Sequence, residues 1–185
     1  MAELLDVVDD FGRPTGQQLS RQAAHQRGLR HRGAQVWVYN GKGEVLLQWR
    51  DPGVQIFPET WDISASGHLV AEETFEQGAI REAGEELGLK ITPDDLYFLG
   101  MIRVDAVIPP TNWIHRTFDA VYLVHQDIRL EELKMQAGET VKARWCPLDE
   151  FEADVQDPET LKKYSPRAPY LFAMVIFEIR KALVA

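Results

Sequence analysis

The sequence of 185 residues contains a single cysteine, Cys146. One thiol can form neither an intramolecular disulfide nor a multi-cysteine zinc site, and such scarcity is typical of a reducing compartment. We therefore expect a cytoplasmic protein. The first ten residues lack the basic start and apolar run of a signal peptide, and no stretch is long enough to span a bilayer, so we expect no membrane association.

The sequence is also poor in basic residues, with 20 Lys and Arg against 29 Asp and Glu and a formal net charge of −9. A protein that binds polymeric nucleic acid must neutralise phosphates with Lys and Arg. The composition therefore argues against a nucleic acid polymer as a partner. A small anionic molecule stays compatible with the charge if a cation screens the acidic surface, which favours metal chemistry.

The order of the predicted elements indicates an α/β protein, and the length fits a single domain. Apolar residues at period two predict strands over 35–39, 44–49, 96–107, 117–124 and 141–145. Capping residues and apolar stripes predict helices over 74–87, from residue 157 and from residue 169. We expect a mixed sheet covered by helices on both faces.

The predicted helix over 74–87 carries three acidic residues close together. Glu82 and Glu86 are four residues apart, a spacing at which like charges repel by roughly 0.2–0.5 kcal/mol, and Glu85 is their neighbour. At about 100° per residue the three carboxylates fall within an arc of roughly 100°. Oxygen ligands of this kind suit Mg²⁺, with Mn²⁺ as the alternative, and the ion removes the repulsion. A solvated helix face is the competing interpretation.

Two further features of this segment favour a function. Gly78 and Gly84 lie inside the predicted helix, where each costs roughly 0.5–1 kcal/mol relative to Ala. Such a loss is easier to understand where packing or function requires close approach of the backbone. Arg81 follows Glu73 by eight residues and precedes Glu85 by four. We expect this arginine to hold the carboxylates in place and not to be catalytic.

The segment over 67–89 resembles the Nudix box: Gly, five residues, Glu, seven residues, Arg-Glu, then Glu-Glu two residues on and a closing Gly. Ala83 departs from the pattern, which usually has a bulkier aliphatic residue there. The resemblance implies the Nudix fold, an α/β/α sandwich, and a hydrolase that cleaves the diphosphate linkage of a small organic or nucleoside diphosphate. It also implies that Glu82, Glu85 and Glu86 are catalytic and bind Mg²⁺, with the Gly67 carbonyl as a further metal ligand.

The family often takes a general base, or an additional metal ligand, from outside the box. The candidates in this sequence are three acidic residues on or near predicted strands: Asp105, Asp119 and Glu139. The sequence does not rank them.

Beyond the box, the sequence resembles isopentenyl-diphosphate isomerase and related Nudix hydrolases. The resemblance includes an N-terminal extension over 1–34 and continues through 164–166, which makes 1–185 one Nudix domain. The isomerase has a reactive cysteine where this chain has Ser66, and its later acidic pair falls near His115 and Thr117. A hydroxyl does not readily replace that thiol in proton transfer. We therefore expect hydrolysis, with isomerisation or a non-catalytic nucleotide-binding module as alternatives.

The same resemblance assigns other candidate residues. His25, His31 and His68 match metal ligands of the isomerase, but the acidic ligands that accompany them are missing, so a second metal site stays open. Arg50 matches a residue that contacts the diphosphate, so we expect it to bind substrate, with a plain surface arginine as the alternative. Trp113, expected in a loop over 109–113, can stack on a substrate or serve as a packing anchor.

Overall fold

The computed structural model describes residues 3–109 and 111–184. The strands are β1 (Leu4–Val8), β2 (Pro14–Ser20), β3 (His31–Tyr39), β4 (Glu44–Arg50), β5 (Trp61–Asp62), β6 (Ala65–His68), β7 (Tyr97–Ile108), β8 (Trp113–His125) and β9 (Thr140–Pro147). The helices are α1 (Arg21–Arg27), α2 (Phe75–Leu87), α3 (Leu148–Gln156), α4 (Pro158–Leu161) and α5 (Pro169–Leu183).

The main sheet is mixed and has seven strands. Its path is β5-β4-β3-β8-β7, with β6 pairing with β3 and β9 pairing with β4. Strands β3 and β8 run parallel, whereas the other pairs are antiparallel. The N-terminal extension adds a separate antiparallel pair, β1 and β2, followed by α1. Its strands were not anticipated, because polar residues fill β2 and hide the period-two pattern.

Helices cover both faces of the main sheet, which confirms the predicted sandwich. Side chains of β3 alternate between the faces: Trp37 packs with α3 and α5, whereas Val36 and Val38 pack with α2. Phe151 and Ile176 belong to the buried core on the face covered by α3 and α5. Ala83 belongs to the buried core on the face covered by α2. The small Ala83 side chain lets α2 lie close to the sheet, so this departure from the Nudix box pattern is accommodated by packing.

Helix α2 begins and ends as the sequence predicts. The Thr74 hydroxyl accepts from the backbone N–H of Gln77, the Gln77 side chain accepts from the backbone N–H of Thr74, and Gly88 ends the helix at φ 69°. A Cβ added at Gly78 would lie 2.8 Å from Leu69, so this glycine allows close packing. At Gly84 the nearest atom would be 3.6 Å away, so close approach does not explain the second glycine.

The loop between β7 and β8 is shorter than predicted. Trp113 pairs with Ile108 and begins β8, four residues earlier than expected, because the hairpin ladder continues through His115 and Arg116. The polar residues at the start of β8 hide its alternation in the sequence. Pro110, which belongs to the predicted loop, lies outside the described residues.

Candidate active site

Two acids of α2 lie against strand β6. Glu86 is 5% exposed and accepts hydrogen bonds from Gln48 Nε2 at 2.6 Å and from the backbone N–H of Ser66 at 3.2 Å. The Glu82 carboxylate lies against Gly67, where a Cβ atom would collide with it. Only glycine therefore permits the contact between this acid and the strand. The structure thus brings Gly67, Glu82 and Glu86 together, as the sequence predicts.

Arg81 connects the remaining acids. Its Nη1 donates to Glu82 at 2.9 Å and to Glu85 at 3.0 Å, and its Nε donates to Glu73 at 2.9 Å. Its Nη2 also donates to the carbonyl of His68 at 2.9 Å. These contacts match the expected role of Arg81, because one guanidinium ties the helix acids to the end of β6. We call Glu82, Glu85, Glu86 and the Gly67 carbonyl the acidic site.

The negative charge that the acidic site would carry when ionised is not fully compensated by nearby cations. Burial, and then the charge of Glu82, raise the pKa of Glu86 well above its usual value. Burial also raises the pKa of Glu82 to about 7, although Arg81 acts in the opposite direction. Within residues 3–109 and 111–184, no Lys or Arg side chain hydrogen-bonds to Glu86. A divalent cation would supply the missing positive charge.

Gln48 and Thr140 support Glu86, and sequence reasoning missed both. The Thr140 hydroxyl donates to Gln48 Oε1, which directs the Gln48 amide group towards Glu86. Both side chains are buried. They lie on β4 and β9, which pair only in the folded sheet, so no local spacing in the sequence could have indicated this relay.

A cleft of about 440 Å³ opens beside Glu86. Gln48, Thr140 and Glu139 line it together with Glu86, and the remaining lining includes Arg21, Arg50, Trp113 and the segment over 53–56. The cleft therefore combines a buried acid, two cationic side chains and an indole ring. Such a mixture suits a small anionic molecule that carries an organic group.

Arg50 lines the cleft, and its guanidinium already has several partners. It donates to the carbonyls of Ile56 and Phe57 and, from Nη1, to Asp62 at 3.2 Å. Arg167 also binds Asp62, at 2.7 Å. Burial alone would raise the pKa of Asp62, but Arg167 and Arg50 outweigh burial and hold that pKa below its usual value. Arg50 thus anchors the cleft loop as well as facing the cleft.

The three acidic candidates outside the box differ in their surroundings. Asp105 is bound by Arg30 and Arg103 at 2.6 Å each, so its carboxylate is occupied. Asp119 is buried and accepts from Gln35 Nε2 at 2.8 Å. Its carboxylate lies against Gly33, whose added Cβ would also be 3.2 Å from the Gly67 carbonyl oxygen. Glu139 lines the cleft with Glu86.

The histidine cluster consists of His25, His31, His68 and His115, and it lies next to the acidic site. Each imidazole offers one nitrogen, and these nitrogens lie within 4.8 Å of one another. The resemblance indicated three of these residues and missed His115. The available signal was that His115 falls where the isomerase has an acidic residue.

Backbone carbonyls fix the orientation of two imidazoles. Nδ1 of His25 donates to the carbonyl of Arg21 at 2.8 Å, and Nδ1 of His31 donates to that of Leu29 at 3.0 Å. Burial lowers the pKa of His31 and of His115 to about 4 in each case, and it lowers that of His68 well below the usual value. The cluster is therefore uncharged at neutral pH.

Trp113 contacts both the cleft and the histidine cluster. Its indole ring lies 5.1 Å from the ring of His25, and the same residue lines the cleft. The two interpretations of Trp113, as a packing anchor and as a ring available to a ligand, are therefore compatible.

A search against protein families matches residues 29–168 to the NUDIX domain. Nudix hydrolase 3 of Arabidopsis thaliana is 32% identical over 80% of this chain, which spans only 20% of that relative's length. Isopentenyl-diphosphate Delta-isomerase 2 of Photorhabdus laumondii is 31% identical, and the match covers 72% of this chain and 75% of the relative's length.

A crystal structure of a Deinococcus radiodurans protein covers 97% of this chain and 98% of its own, at a TM-score of 0.67 and 21% identity, and so supports the fold. No helix in the described part of the chain is long and apolar enough to cross a membrane. The family match and the relatives show that this chain belongs to the Nudix family, as a Nudix hydrolase of the branch that resembles isopentenyl-diphosphate isomerase.

Proposed function

We propose that this enzyme hydrolyses the diphosphate linkage of a small organic or nucleoside diphosphate, with water attacking phosphorus. The observation that carries the proposal is the position of Glu86. This buried acid lines the cleft, has no cationic partner among the described residues and lies in the same acidic site as Glu82. Such an acid is costly to bury unless a cation joins it.

The donors of the acidic site fit Mg²⁺, with Mn²⁺ as the alternative. Glu82, Glu85 and Glu86 would supply carboxylate oxygens, and the Gly67 carbonyl would supply a further hard oxygen ligand. When bound there, the ion would screen the charge of the phosphates and lower the pKa of the attacking water. Arg81 would orient Glu82 and Glu85 through the hydrogen bonds that it already makes.

The cleft provides the other functions that this reaction requires. Arg50 and Arg21 would bind phosphate oxygens, because both line the cleft and an arginine has several N–H donors. Trp113 would pack against the organic group of the substrate.

A base that accepts a proton from the attacking water must lie near the acidic site. Glu139 faces the cleft together with Glu86, and Asp119 lies beside the strand that carries Gly67. Asp105 is the weakest candidate, because arginines occupy its carboxylate. Of the three candidates, we propose Glu139 as the base.

Isomerisation of isopentenyl diphosphate is the second candidate function, and the 31% identical isomerase relative favours it. The surroundings of Ser66 argue against it. A hydroxyl occupies the position of the reactive thiol, and it lies 3.4 Å from Arg167 Nη2. Neither the Ser66 hydroxyl nor the Arg167 guanidinium transfers a proton to or from carbon as readily as that thiol does. A nucleotide-binding module without turnover is a third interpretation, and the complete acidic site argues against it.

A panel of organic and nucleoside diphosphates, incubated with the purified protein and Mg²⁺, tests the proposal. We expect release of phosphate or of a monophosphate from at least one member. Glu86→Gln should abolish most of this activity, because an amide is a weaker metal ligand than a carboxylate and carries no charge. Glu76→Gln is the matched control, since it changes an exposed acid in the first turn of the same helix.

Three outcomes contradict the proposal in different ways. Wild-type turnover by a folded Glu86→Gln variant would remove the assigned role of the acidic site. Deuterium exchange from solvent into isopentenyl diphosphate would instead establish isomerisation. Tight binding of a panel member without product after long incubation would favour the binding module.

A further inference from the structure

The main sheet has one short edge and one long edge. Its path ends on one side at β5, a strand of two residues, and on the other side at β7, a strand of twelve. Strand β7 pairs with β8 on one side, and no strand within residues 3–109 and 111–184 pairs with its other side. Alternate residues of β7 therefore direct backbone N–H and C=O groups away from the sheet, where another strand can bind them.

The side chains of this long edge are unusually apolar. Four large apolar side chains of β7 are exposed, more than on any other strand or helix that the structure describes: Tyr97, Phe98, Met101 and Val107. Proteins often protect an edge with Lys or Pro, and the segment over 97–108 contains neither. A bulge next to Gly100 interrupts the pairing with β8, so the regular part of the strand begins at Met101.

The charges of the regular part are arranged to match a second copy of the same strand. Its sequence over 101–107 is Met-Ile-Arg-Val-Asp-Ala-Val, in which Arg103 and Asp105 flank Val104. Consider an antiparallel pair related by a two-fold axis at Val104. Arg103 of each copy then lies opposite Asp105 of the other, and Met101 of each lies opposite Val107. Opposite charges and apolar pairs in such positions contribute roughly 0.2–1 kcal/mol each.

Other registers do not bring opposite charges together. An axis at Arg103 places the two copies of that guanidinium opposite each other, and an axis at Asp105 does the same with the carboxylates. Like charges directly opposite destabilise a pair of strands. An axis between two residues is excluded, because successive side chains alternate between the faces and the faces of the two sheets would not match. Only the axis at Val104 pairs Arg103 with Asp105.

We propose that the β7 edge, defined as residues 101–107, binds a second copy of this chain and joins the two main sheets into one. A symmetric pair of edges closes on itself, so a dimer forms and not an open chain. Arg30 and Arg103 each bind one oxygen of Asp105 at 2.6 Å, yet this side chain is still 39% exposed. A carboxylate has about four acceptor sites, so Asp105 can also accept from the second copy.

Sedimentation equilibrium over the micromolar range tests this proposal. Seven residues per copy form a small interface, so the wild type should show a reversible equilibrium of monomer and dimer with a dissociation constant of about 1–100 µM. Val107→Glu should weaken the dimer by roughly tenfold or more, because it places a charge opposite Met101. Val141→Glu is the matched control, since it changes an exposed valine of β9, which pairs with β4.

Three results of this measurement would overturn the proposal. A wild type that stays monomeric throughout would show that the edge binds no second copy. Equal weakening in Val107→Glu and Val141→Glu would show that the edge has no special part in association. Aggregates that grow steadily with concentration would show open association in place of the closed pair.

Two charge variants test the register itself. Arg103→Glu places a carboxylate opposite Asp105, and Asp105→Arg places a guanidinium opposite Arg103, so each variant alone should be monomeric. In an equimolar mixture each supplies the charge that the other needs, so a heterodimer should form with roughly the wild-type affinity. Mixing cannot repair a structural defect. Two folded variants that stay monomeric when mixed would contradict the register at Val104. If Asp105→Arg does not fold, because Arg30 loses a partner, Val107→Glu still decides the case.

Discussion

The acidic site and the histidine cluster lie on neighbouring residues of the same short strand, yet their side chains and surroundings differ. Gly67 faces the acids of α2, and His68 belongs to the cluster, because successive side chains of a strand point to opposite faces. The acidic site is anionic and adjoins a cleft. The cluster is neutral and mostly buried. One strand thus separates a group of carboxylate oxygens from a group of imidazole nitrogens.

Asp62, Arg50 and Arg167 form an ion triplet whose charges act on both regions. Arg167 approaches Ser66 at 3.4 Å, beside the acidic site. After burial and the neighbouring His25, its charge is the next cause that lowers the pKa of His115. The charge of Asp62 contributes in turn to the raised pKa of Glu86. Charges of the triplet therefore shift the pKa of one group in each region.

The largest expected effect comes from Asp62→Asn, which removes the carboxylate that both arginines bind. Removing one partner of a buried ion pair strands the others, so the free energy of unfolding at pH 7 should fall by about 3 kcal/mol. Urea unfolding would measure this loss. Asp149→Asn, in an exposed pair with Arg180, is the control and should leave the stability unchanged.

The difference in free energy of unfolding between the wild type and Asp62→Asn should depend on pH. The pKa of Asp62 is lowered from its ordinary value of 3.8, so its contribution is present above that pH and is lost as the pH falls through the lowered value. The stability gap between the wild type and Asp62→Asn should therefore narrow below pH 3.8. A gap that stays constant from pH 7 to pH 3 would show that the charge of Asp62 is not responsible.

Local spacing predicted where the acids of α2 lie, because they follow one another on a single capped helix. Thr74, Gly88 and the acids of α2 all occupy the expected positions. The histidine cluster combines four elements that only the folded sheet brings together, so spacing alone could not reveal His115. The contacts of Gln48 and Thr140 could not be predicted for the same reason. Their contact depends on the pairing of β4 with β9.

A methyl group at residue 67 should damage one region and spare the other. In Gly67→Ala the new Cβ would displace the flexible Glu82 carboxylate, and a ligand misplaced by about 1 Å can cost roughly 100-fold in rate. The ring-nitrogen NMR signals of the histidine cluster should stay unchanged, because the added atom points towards α2. Gly84→Ala is the matched control, since its Cβ meets nothing closer than 3.6 Å. Equal loss of hydrolysis in both variants would argue against a specific role for Gly67.

The smallest expected effect concerns Trp113, which adjoins both regions. If its indole packs on the organic group of the substrate, Trp113→Ala should raise KM about fivefold, since an aromatic contact is worth about 0.5–1.5 kcal/mol, and kcat should change little. Trp113→Phe keeps a ring and should recover most of the affinity. If the ring serves only to cover His25, both variants should keep the wild-type KM while Trp113→Ala alone lowers the free energy of unfolding. Steady-state kinetics measured together with urea unfolding therefore decides whether the indole acts in the cleft, in packing on the cluster or in both.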